Sequence, residues 1–132
     1  MTTVDPVTAT LLFVERINAG DLDGLTELLT EDHRFIEDAG GMERGREKMR
    51  AGWAGYFAAY PDYRIHVHQV LRGGRGVAIV GTTTGSHLPP EVEKKGTVLW
   101  TAELRDGRVE EWRIYTSQEN AHEARQEHDM PP

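Results

Sequence analysis

The sequence lacks cysteine altogether, which excludes a disulfide framework, a thiol nucleophile, a thiolate zinc site and an iron–sulfur cluster. It also lacks an excess of positive charge: 15 lysines and arginines stand against 22 aspartates and glutamates, for a net charge of −7. This balance argues against nucleic acid or an anionic membrane as a partner. No run approaches the roughly 20 apolar residues that span a bilayer, and no cationic start of a secretory signal is evident. We therefore expect a cytoplasmic protein.

The N-terminal half of the chain predicts three helices. Asp5-Pro6 is typical of a helix start, and apolar residues then recur at helical spacing up to Gly20. Asp21 caps a second, short helix, in which the buried stripe is formed by Leu22, Leu25, Leu28 and Leu29. A short strand is predicted from His33 to Asp38, and a third helix extends from about Gly45 to Pro61.

The C-terminal half predicts antiparallel strands over 63–72, 77–87, 97–105 and 108–117, the last two joined by a hairpin turn at Asp106-Gly107. Helices followed by strands indicate an α+β domain. We expect a cone-shaped, curved antiparallel sheet with three N-terminal helices packed over its concave face. Residues 1–117 form this single domain and residues 118–132 form a polar C-terminal tail. The open mouth of such a cone is a natural site for a small molecule.

Three segments carry a family resemblance over about residues 8–117: INAGDLDGLTELLTEDHRFIEDAGG, GREKMRAGWAGYFAAYPDYRI and TAELRDGRVEEWRIYTS. They resemble the nuclear-transport-factor-2-like superfamily, and within it the SnoaL-like branch of polyketide cyclases and ketosteroid isomerases. The resemblance implies a SnoaL-like cone and a homodimer formed through the sheet. It leaves the reaction open, because the superfamily includes isomerases, cyclases, epoxide hydrolases, dehydratases and non-catalytic binding domains.

Asp38 is the candidate general base, because HRFIEDAGG resembles the stretch in which ketosteroid isomerases carry theirs. A carboxylate among tryptophan and aliphatic side chains is poorly solvated, which favours proton abstraction beside a carbonyl. The alternative is that Asp38 caps the turn at Gly40-Gly41. His33 and His87, at predicted strand ends, are either acid–base partners of Asp38 or solvated loop residues.

Aromatic residues replace the oxyanion donors of the isomerases. By the resemblance, Phe13 stands where the isomerases carry a tyrosine, and Trp100 stands close to the place of their protonated aspartate. Loss of a single such donor typically costs on the order of 100- to 1,000-fold in rate. The replacements therefore argue against steroid isomerisation.

The last predicted strand lacks the acid of the cyclases and epoxide hydrolases. By the resemblance, Ile114 stands in place of that acid, and Trp112 in place of the histidine that precedes it in the cyclases. Strand alternation predicts that Trp112 and Ile114 face the pocket. A register shifted by one residue would turn Arg113 and Tyr115 inward instead and would suit an anion or an enolate.

His66 and His68 lie at two-residue spacing and resemble half of a metal site. No third ligand is evident in the sequence, so a polar strand face is the preferred interpretation and no metal is predicted.

The sequence thus predicts a small enzyme that requires no cofactor and acts on a hydrophobic, polyketide- or terpenoid-like substrate by cyclisation, isomerisation or dehydration. Proton transfer is assigned to Asp38, with His33 and His87 as partners. The predicted substrate-binding residues are Phe13, Trp53, Trp100, Trp112 and Ile114. The alternative is a non-catalytic module of the same fold that binds a small molecule or serves dimerisation. Epoxide hydrolysis is a third hypothesis, for which Asp38 is the single candidate carboxylate.

Overall fold

The computed structural model describes residues 5–37, 40–74 and 76–115. Its helices are α1 (Pro6–Ala19), α2 (Leu22–Glu27), α3 (Arg46–Ala59) and α4 (Pro90–Lys95). Its strands are β1 (Leu29–Ile36), β2 (Met42–Arg44), β3 (Arg64–Arg72), β4 (Val77–Thr84), β5 (Val98–Arg105) and β6 (Arg108–Tyr115). This architecture confirms the α+β fold class. Asp38 and residues 118–132 lie outside the described residues. The role of Asp38 as a general base and the polar C-terminal tail therefore remain predictions.

The strands form one curved, unclosed sheet in the order β2-β1-β6-β5-β4-β3. One pairing departs from the antiparallel pattern expected from the sequence, because β1 runs parallel to β6 and places Phe35 opposite Trp112. About half of the chain, from residue 37 to residue 107, separates these two strands, so no short hairpin dictates their relative direction. The parallel pair puts the end of β1 beside the end of β6.

Helix α1 begins and ends at the residues that the sequence predicts. Asp5 Oδ2 accepts hydrogen bonds from the backbone N–H groups of Val7 and Thr8 at 3.0 and 3.2 Å. Gly20 ends the helix with φ +63°, a left-handed conformation that glycine adopts without a steric cost. Asn18 then fixes α1 to β3, since its side-chain amide exchanges hydrogen bonds with both the N–H and the C=O of Ile65.

The main core lies between the helices and the concave face of the sheet. Residues that alternate along β5 and β6 point into it, and α1 closes it from the other side with Phe13, Val14 and Ile17. A second apolar cluster occupies the opposite, outer face, where Ala78, Leu99 and Tyr115 pack with Leu71 and Val80. No helix of the described part is long and apolar enough to cross a membrane.

Two short elements were not expected from the sequence. Strand β2 follows the turn at Gly40 and Gly41, and α4 forms in the stretch PEVEKK, where a loop was expected. Pro90 at the first helical position and acidic residues in the first turn favour this helix locally. Strand β1 also begins four residues earlier than expected, at Leu29, which pairs with Val109.

Candidate functional site

A cavity of 620 Å³ lies between α3, the concave face of the sheet and the segment that joins β4 to β5. Most of its lining is apolar, and two carboxylate residues, Glu37 and Glu93, contribute to it. Val92 and His87 line the cavity and are also exposed, so the cavity meets solvent beside them. A volume of this size suits an organic molecule of several rings rather than a metal ion or a single water.

The inner wall of the cavity consists of Val98 and Trp100 on β5 and Trp112 and Ile114 on β6. Trp100 lies opposite Ile114 in the hairpin. The indole rings of Trp100 and Trp112 stack with an interplanar angle of 18° and a centroid distance of 6.3 Å. The inner wall is therefore aromatic and aliphatic, and the two indoles that form part of it are packed mainly within the core.

Strand β6 has the register in which Trp112 and Ile114 face the pocket. Trp112 and Ile114 line the cavity, whereas the guanidinium of Arg113 lies over the ring of Tyr115 at 4.8 Å. Tyr115 belongs to the apolar cluster on the outer face. The alternative with Arg113 and Tyr115 in the pocket is thus wrong, because each faces away from the cavity.

Of the residues predicted to contact substrate, Trp53, Trp100, Trp112 and Ile114 line the cavity, and Phe13 does not. The Phe13 side chain is fully buried and its ring packs edge-on against Trp112, with 4.8 Å between the centroids. Phe13 therefore supports the inner wall from behind, and its prediction as a lining residue is corrected. The prediction came from the family resemblance, which gives the position of Phe13 along α1 but not whether its ring meets the cavity or the core.

His33 is fully buried in the middle of β1 and does not line the cavity. Its Nδ1 lies 2.8 Å from the carbonyl oxygen of Val109, and its Nε2 has no hydrogen-bond partner in the described structure. Burial lowers the pKa of His33. Both sequence interpretations, a residue at the cone mouth and a solvated loop residue, are corrected, because the early start of β1 places His33 inside the strand.

Glu37 lines the cavity directly after β1, one residue before the predicted base Asp38, which lies outside the described residues. The alternation that points Phe35 at the cavity continues to Glu37. Backbone hydrogen bonds of 2.8 Å to Gly41 and 2.9 Å from Gly40 hold the main chain at Glu37 in a tight turn. Sequence reasoning missed Glu37, although strand alternation from Phe35 could have identified it.

A polar cluster lines another part of the cavity, around the hydroxyl of Tyr56 on α3. The oxygen of that hydroxyl lies 2.9 Å from His87 Nδ1 and accepts a hydrogen bond from the His87 backbone N–H at 3.2 Å. The ring of Tyr63 packs edge-on against Tyr56 at 5.0 Å. Burial raises the pKa values of both Tyr56 and Tyr63, so both phenols are neutral near neutral pH.

Glu93 completes the polar cluster and joins α4 to β4. Its carboxylate accepts hydrogen bonds from the Thr83 hydroxyl at 2.7 Å and from the Ser86 backbone N–H at 3.1 Å. Burial acts to raise the pKa of Glu93, but the hydrogen bonds from Ser86 and Thr83 outweigh it and hold that pKa below its ordinary value. Glu93 is therefore an ionised structural acceptor. We define the polar cluster as Tyr56, Tyr63, Thr83, Ser86, His87 and Glu93.

The histidine pair on β3 makes hydrogen bonds to threonines on β4. His66 Nε2 lies 2.9 Å from the Thr84 hydroxyl, and His68 Nε2 lies 3.1 Å from the Thr82 hydroxyl. Across residues 5–37, 40–74 and 76–115, no three histidine, aspartate or glutamate side chains are grouped as metal ligands would be. The pair therefore belongs to a polar face of these strands.

Comparison with known proteins places these features in a family. A family model described as a SnoaL-like domain matches residues 11–112. A search of curated proteins gives no match.

Three solved structures share the fold. IdmH from Streptomyces antibioticus, a candidate polyketide cyclase, is 23% identical with a TM-score of 0.69, over 89% of this chain and 95% of IdmH. A candidate ketosteroid isomerase from Kribbella flavida is 17% identical with a TM-score of 0.66, over 84% of this chain and 76% of that one. An NTF2-like protein of unknown function from Cytophaga hutchinsonii is 15% identical with a TM-score of 0.70, over 92% and 97%. Identities this low establish the fold and leave the reaction open.

Proposed function

The chain belongs to the SnoaL-like domain family, and we propose that it is a small, cofactor-independent enzyme that transfers a proton on a hydrophobic, polyketide- or terpenoid-like substrate. The observation that carries the proposal is a mostly apolar cavity with a carboxylate at the end of β1. An apolar cavity binds the carbon skeleton, and a carboxylate inside it can accept a proton from carbon beside a carbonyl. Cyclisation, isomerisation and dehydration all begin with such a step.

The proton acceptor in this proposal is one of two adjacent carboxylates. Asp38 is the residue to which the family resemblance points, and Glu37 is the neighbour that lines the cavity. Phe35 and Trp112, which lie opposite each other in the parallel pair, supply apolar surface to the cavity beside this turn. Apolar surroundings weaken the hydration of a carboxylate and make it a better base. Similarity to candidate polyketide cyclases and ketosteroid isomerases supports the same class of reaction.

Deuterium exchange into a bicyclic ketone tests the proposal without knowledge of the substrate. We would incubate the protein with β-tetralone in deuterated buffer and follow loss of the α-proton signal by NMR. We expect wild-type protein to accelerate exchange, and Glu37→Gln or Asp38→Asn to remove about 100-fold or more of that acceleration, the usual contribution of a general base. The variant that loses it identifies the base.

Glu91→Gln is the matched control, because Glu91 is an exposed carboxylate on α4 that does not line the cavity. Its exchange rate should equal that of the wild type. Acceleration that survives both Glu37→Gln and Asp38→Asn would contradict a carboxylate base at the end of β1.

A non-catalytic binding module is the second candidate function. It is favoured by the inner wall, in which Trp100, Trp112 and Ile114 present aromatic and aliphatic surface and no acid. In this case β-tetralone binds, as seen by tryptophan fluorescence, and its deuterium exchange is no faster than in buffer. The exchange experiment therefore separates the two functions.

We also propose that two copies associate through the outer face of the sheet, as the family resemblance implies. The partly buried side chains of Leu71 and Val80 on this face extend the apolar cluster of Ala78 and Leu99. Light scattering should give twice the chain mass of 14.9 kDa, and Val80→Lys should shift the mass towards one chain. A wild-type mass of one chain would contradict the proposal.

A further inference from the structure

We propose that His87 presents a protonated Nε2 to an acceptor oxygen of the ligand, and that Tyr56 is the positioning residue that sets this tautomer. The proposal rests on the proposed function, because it takes the cavity as the ligand site. It adds a ligand class: a ring system that carries a carbonyl or phenolate oxygen, bound with that oxygen towards His87.

The assignment of the tautomer uses two contacts of the Tyr56 hydroxyl. Its oxygen accepts the backbone N–H of His87 at 3.2 Å, and it lies 2.9 Å from Nδ1 of the same residue. The phenol has one proton to donate; because a phenol is a stronger donor than acceptor and a neutral imidazole nitrogen is a good acceptor, we assign that proton to Nδ1. A neutral imidazole that accepts at Nδ1 carries its own proton at Nε2.

Packing around Tyr56 keeps the phenol in place. Its ring contacts Tyr60 with a centroid distance of 4.7 Å and Tyr63 at 5.0 Å, so the connection between α3 and β3 packs against it. Burial raises the pKa of Tyr56, and Tyr60 and Glu93 raise it further, so the hydroxyl keeps the proton that it donates. The imidazole of His87 lies against the rings of both Tyr56 and Tyr60.

A hydrogen-bond donor at His87 Nε2 complements the carboxylate acceptors that line the cavity elsewhere. The carboxylates that line it, Glu37 and Glu93, are acceptors when ionised and cannot bind a carbonyl oxygen. Glu93 is also engaged by Thr83 and Ser86. Since Nδ1 of His87 is occupied by Tyr56, Nε2 is the ring nitrogen left for a ligand. A ligand whose oxygen accepts a hydrogen bond from Nε2 while its ring system contacts the inner wall would bind in one preferred orientation.

A pair of ligands with the same shape tests the proposal by fluorescence titration. Methyl naphthyl ketone carries the acceptor oxygen, and isopropenylnaphthalene carries a methylene group in its place. All three tryptophans of the chain line the cavity, so intrinsic fluorescence reports binding. We expect wild-type protein to bind the ketone about 3- to 10-fold more tightly than the hydrocarbon, the usual worth of one hydrogen bond.

His87→Phe should abolish this preference, and Tyr56→Phe should weaken it, because only part of the His87 population then remains protonated at Nε2. Tyr60→Phe is the matched control, because Tyr60 packs on the same rings but does not line the cavity. It should keep the preference. Equal affinities of wild-type protein for the two ligands would overturn the role of His87 while leaving the cavity as a ligand site. Binding of neither ligand would count against the cavity itself and therefore against the proposed function.

Long-range proton–nitrogen NMR of the His87 ring supplies a readout that loss of packing would not change. In mildly alkaline buffer the wild-type spectrum should show one neutral tautomer, protonated at Nε2. Tyr56→Phe should give a mixture of the two tautomers, because the hydroxyl that selects between them is gone. A wild-type ring protonated at Nδ1 would overturn the proposal.

Discussion

The inner wall and the polar cluster line the same cavity, yet they are held in place by different forces. The inner wall is part of the core: Trp100 and Trp112 are 1% and 2% exposed and pack against each other and Phe13. The polar cluster comes from α3, from the residues before β3, from the end of β4 and from the connection between β4 and β5. The contact between Tyr56 and His87 and the hydrogen bond from Thr83 to Glu93 hold it together. Apolar burial maintains one region and a few polar contacts maintain the other. Substitutions should therefore separate them.

The largest expected effect is Trp112→Ala, which should lower the free energy of unfolding by about 3–5 kcal/mol, as large-to-small changes in a packed core do. It leaves a space beside Phe13 and Trp100. Urea denaturation measures the loss. Val92→Ala is the control, since Val92 lines the same cavity but is 56% exposed, and it should cost less than about 0.5 kcal/mol. Similar losses for the two variants would show that burial in the core does not set the stability contribution of a cavity-lining residue.

Gly85→Ala tests how the connection after β4 is fixed. Gly85 has φ +71°, and a Cβ there would overlap the backbone carbonyl of Asp62, so we expect a loss of about 2–4 kcal/mol. Gly20→Ala is matched in backbone conformation, with φ +63°, but its Cβ would meet nothing within 4 Å. It should cost only about 1 kcal/mol, the strain of a left-handed residue. Thermal unfolding compares the two, and equal costs would show that the contact with Asp62 is unimportant.

Glu93→Gln should cost about 1–3 kcal/mol, because a charged acceptor of two hydrogen bonds is replaced by a neutral one. Thr83 and Ser86 are the donors affected. The change should loosen α4, so hydrogen exchange of its backbone amides should speed up while that of β5 and β6 stays slow. Glu91→Gln on the same helix should change neither. Faster exchange throughout the sheet would show that the polar cluster and the inner wall unfold as one unit.

The smallest effects on stability are expected when the pH is lowered, and they fall in two separate pH ranges. The pKa of His33 is lowered from 6.5, so the unfolded chain binds the proton more readily and stability falls as the pH drops below about 6.5. The pKa of Glu93 is lowered from 4.5, so its contribution is present above that pH and is lost as the pH falls below it. Each slope is at most about 1.4 kcal/mol per pH unit.

Urea titrations at a series of pH values separate these two contributions. His33→Phe should reduce the pH dependence of the free energy of unfolding in the higher pH range only. Glu93→Gln should reduce it in the lower range only. An unchanged profile in either variant would contradict the corresponding assignment.

Sequence patterns predicted most of the fold because they are local. The cap at Asp5, the stop at Gly20 and the hairpin at Asp106-Gly107 depend on residues close in the chain, and the structure has all three features. Alternation likewise predicted that Trp112 and Ile114 share the face that lines the cavity.

Sequence reasoning failed where distant segments meet. Nothing near His33 in the chain indicates Val109, whose carbonyl lies beside its ring, and nothing near Tyr56 indicates His87, thirty-one residues further on. Phe13 was expected in the pocket because, by the family resemblance, it stands where the isomerases carry a tyrosine. Glu93 looked like part of a charged loop, because its partner Thr83 belongs to the preceding strand.

The sequence by itself determined the α+β class, the family, and the aromatic and aliphatic face that Trp112 and Ile114 present to the cavity. Helix caps, strand alternation and turn residues act over a few positions, and those interactions can be read along the chain. The tertiary structure alone decided that Glu37 lines the cavity, that His33 is buried, and that Tyr56 and His87 form a pair. Each of these depends on the parallel pairing of β1 with β6 or on the path from β4 to β5, which bring together residues far apart in sequence.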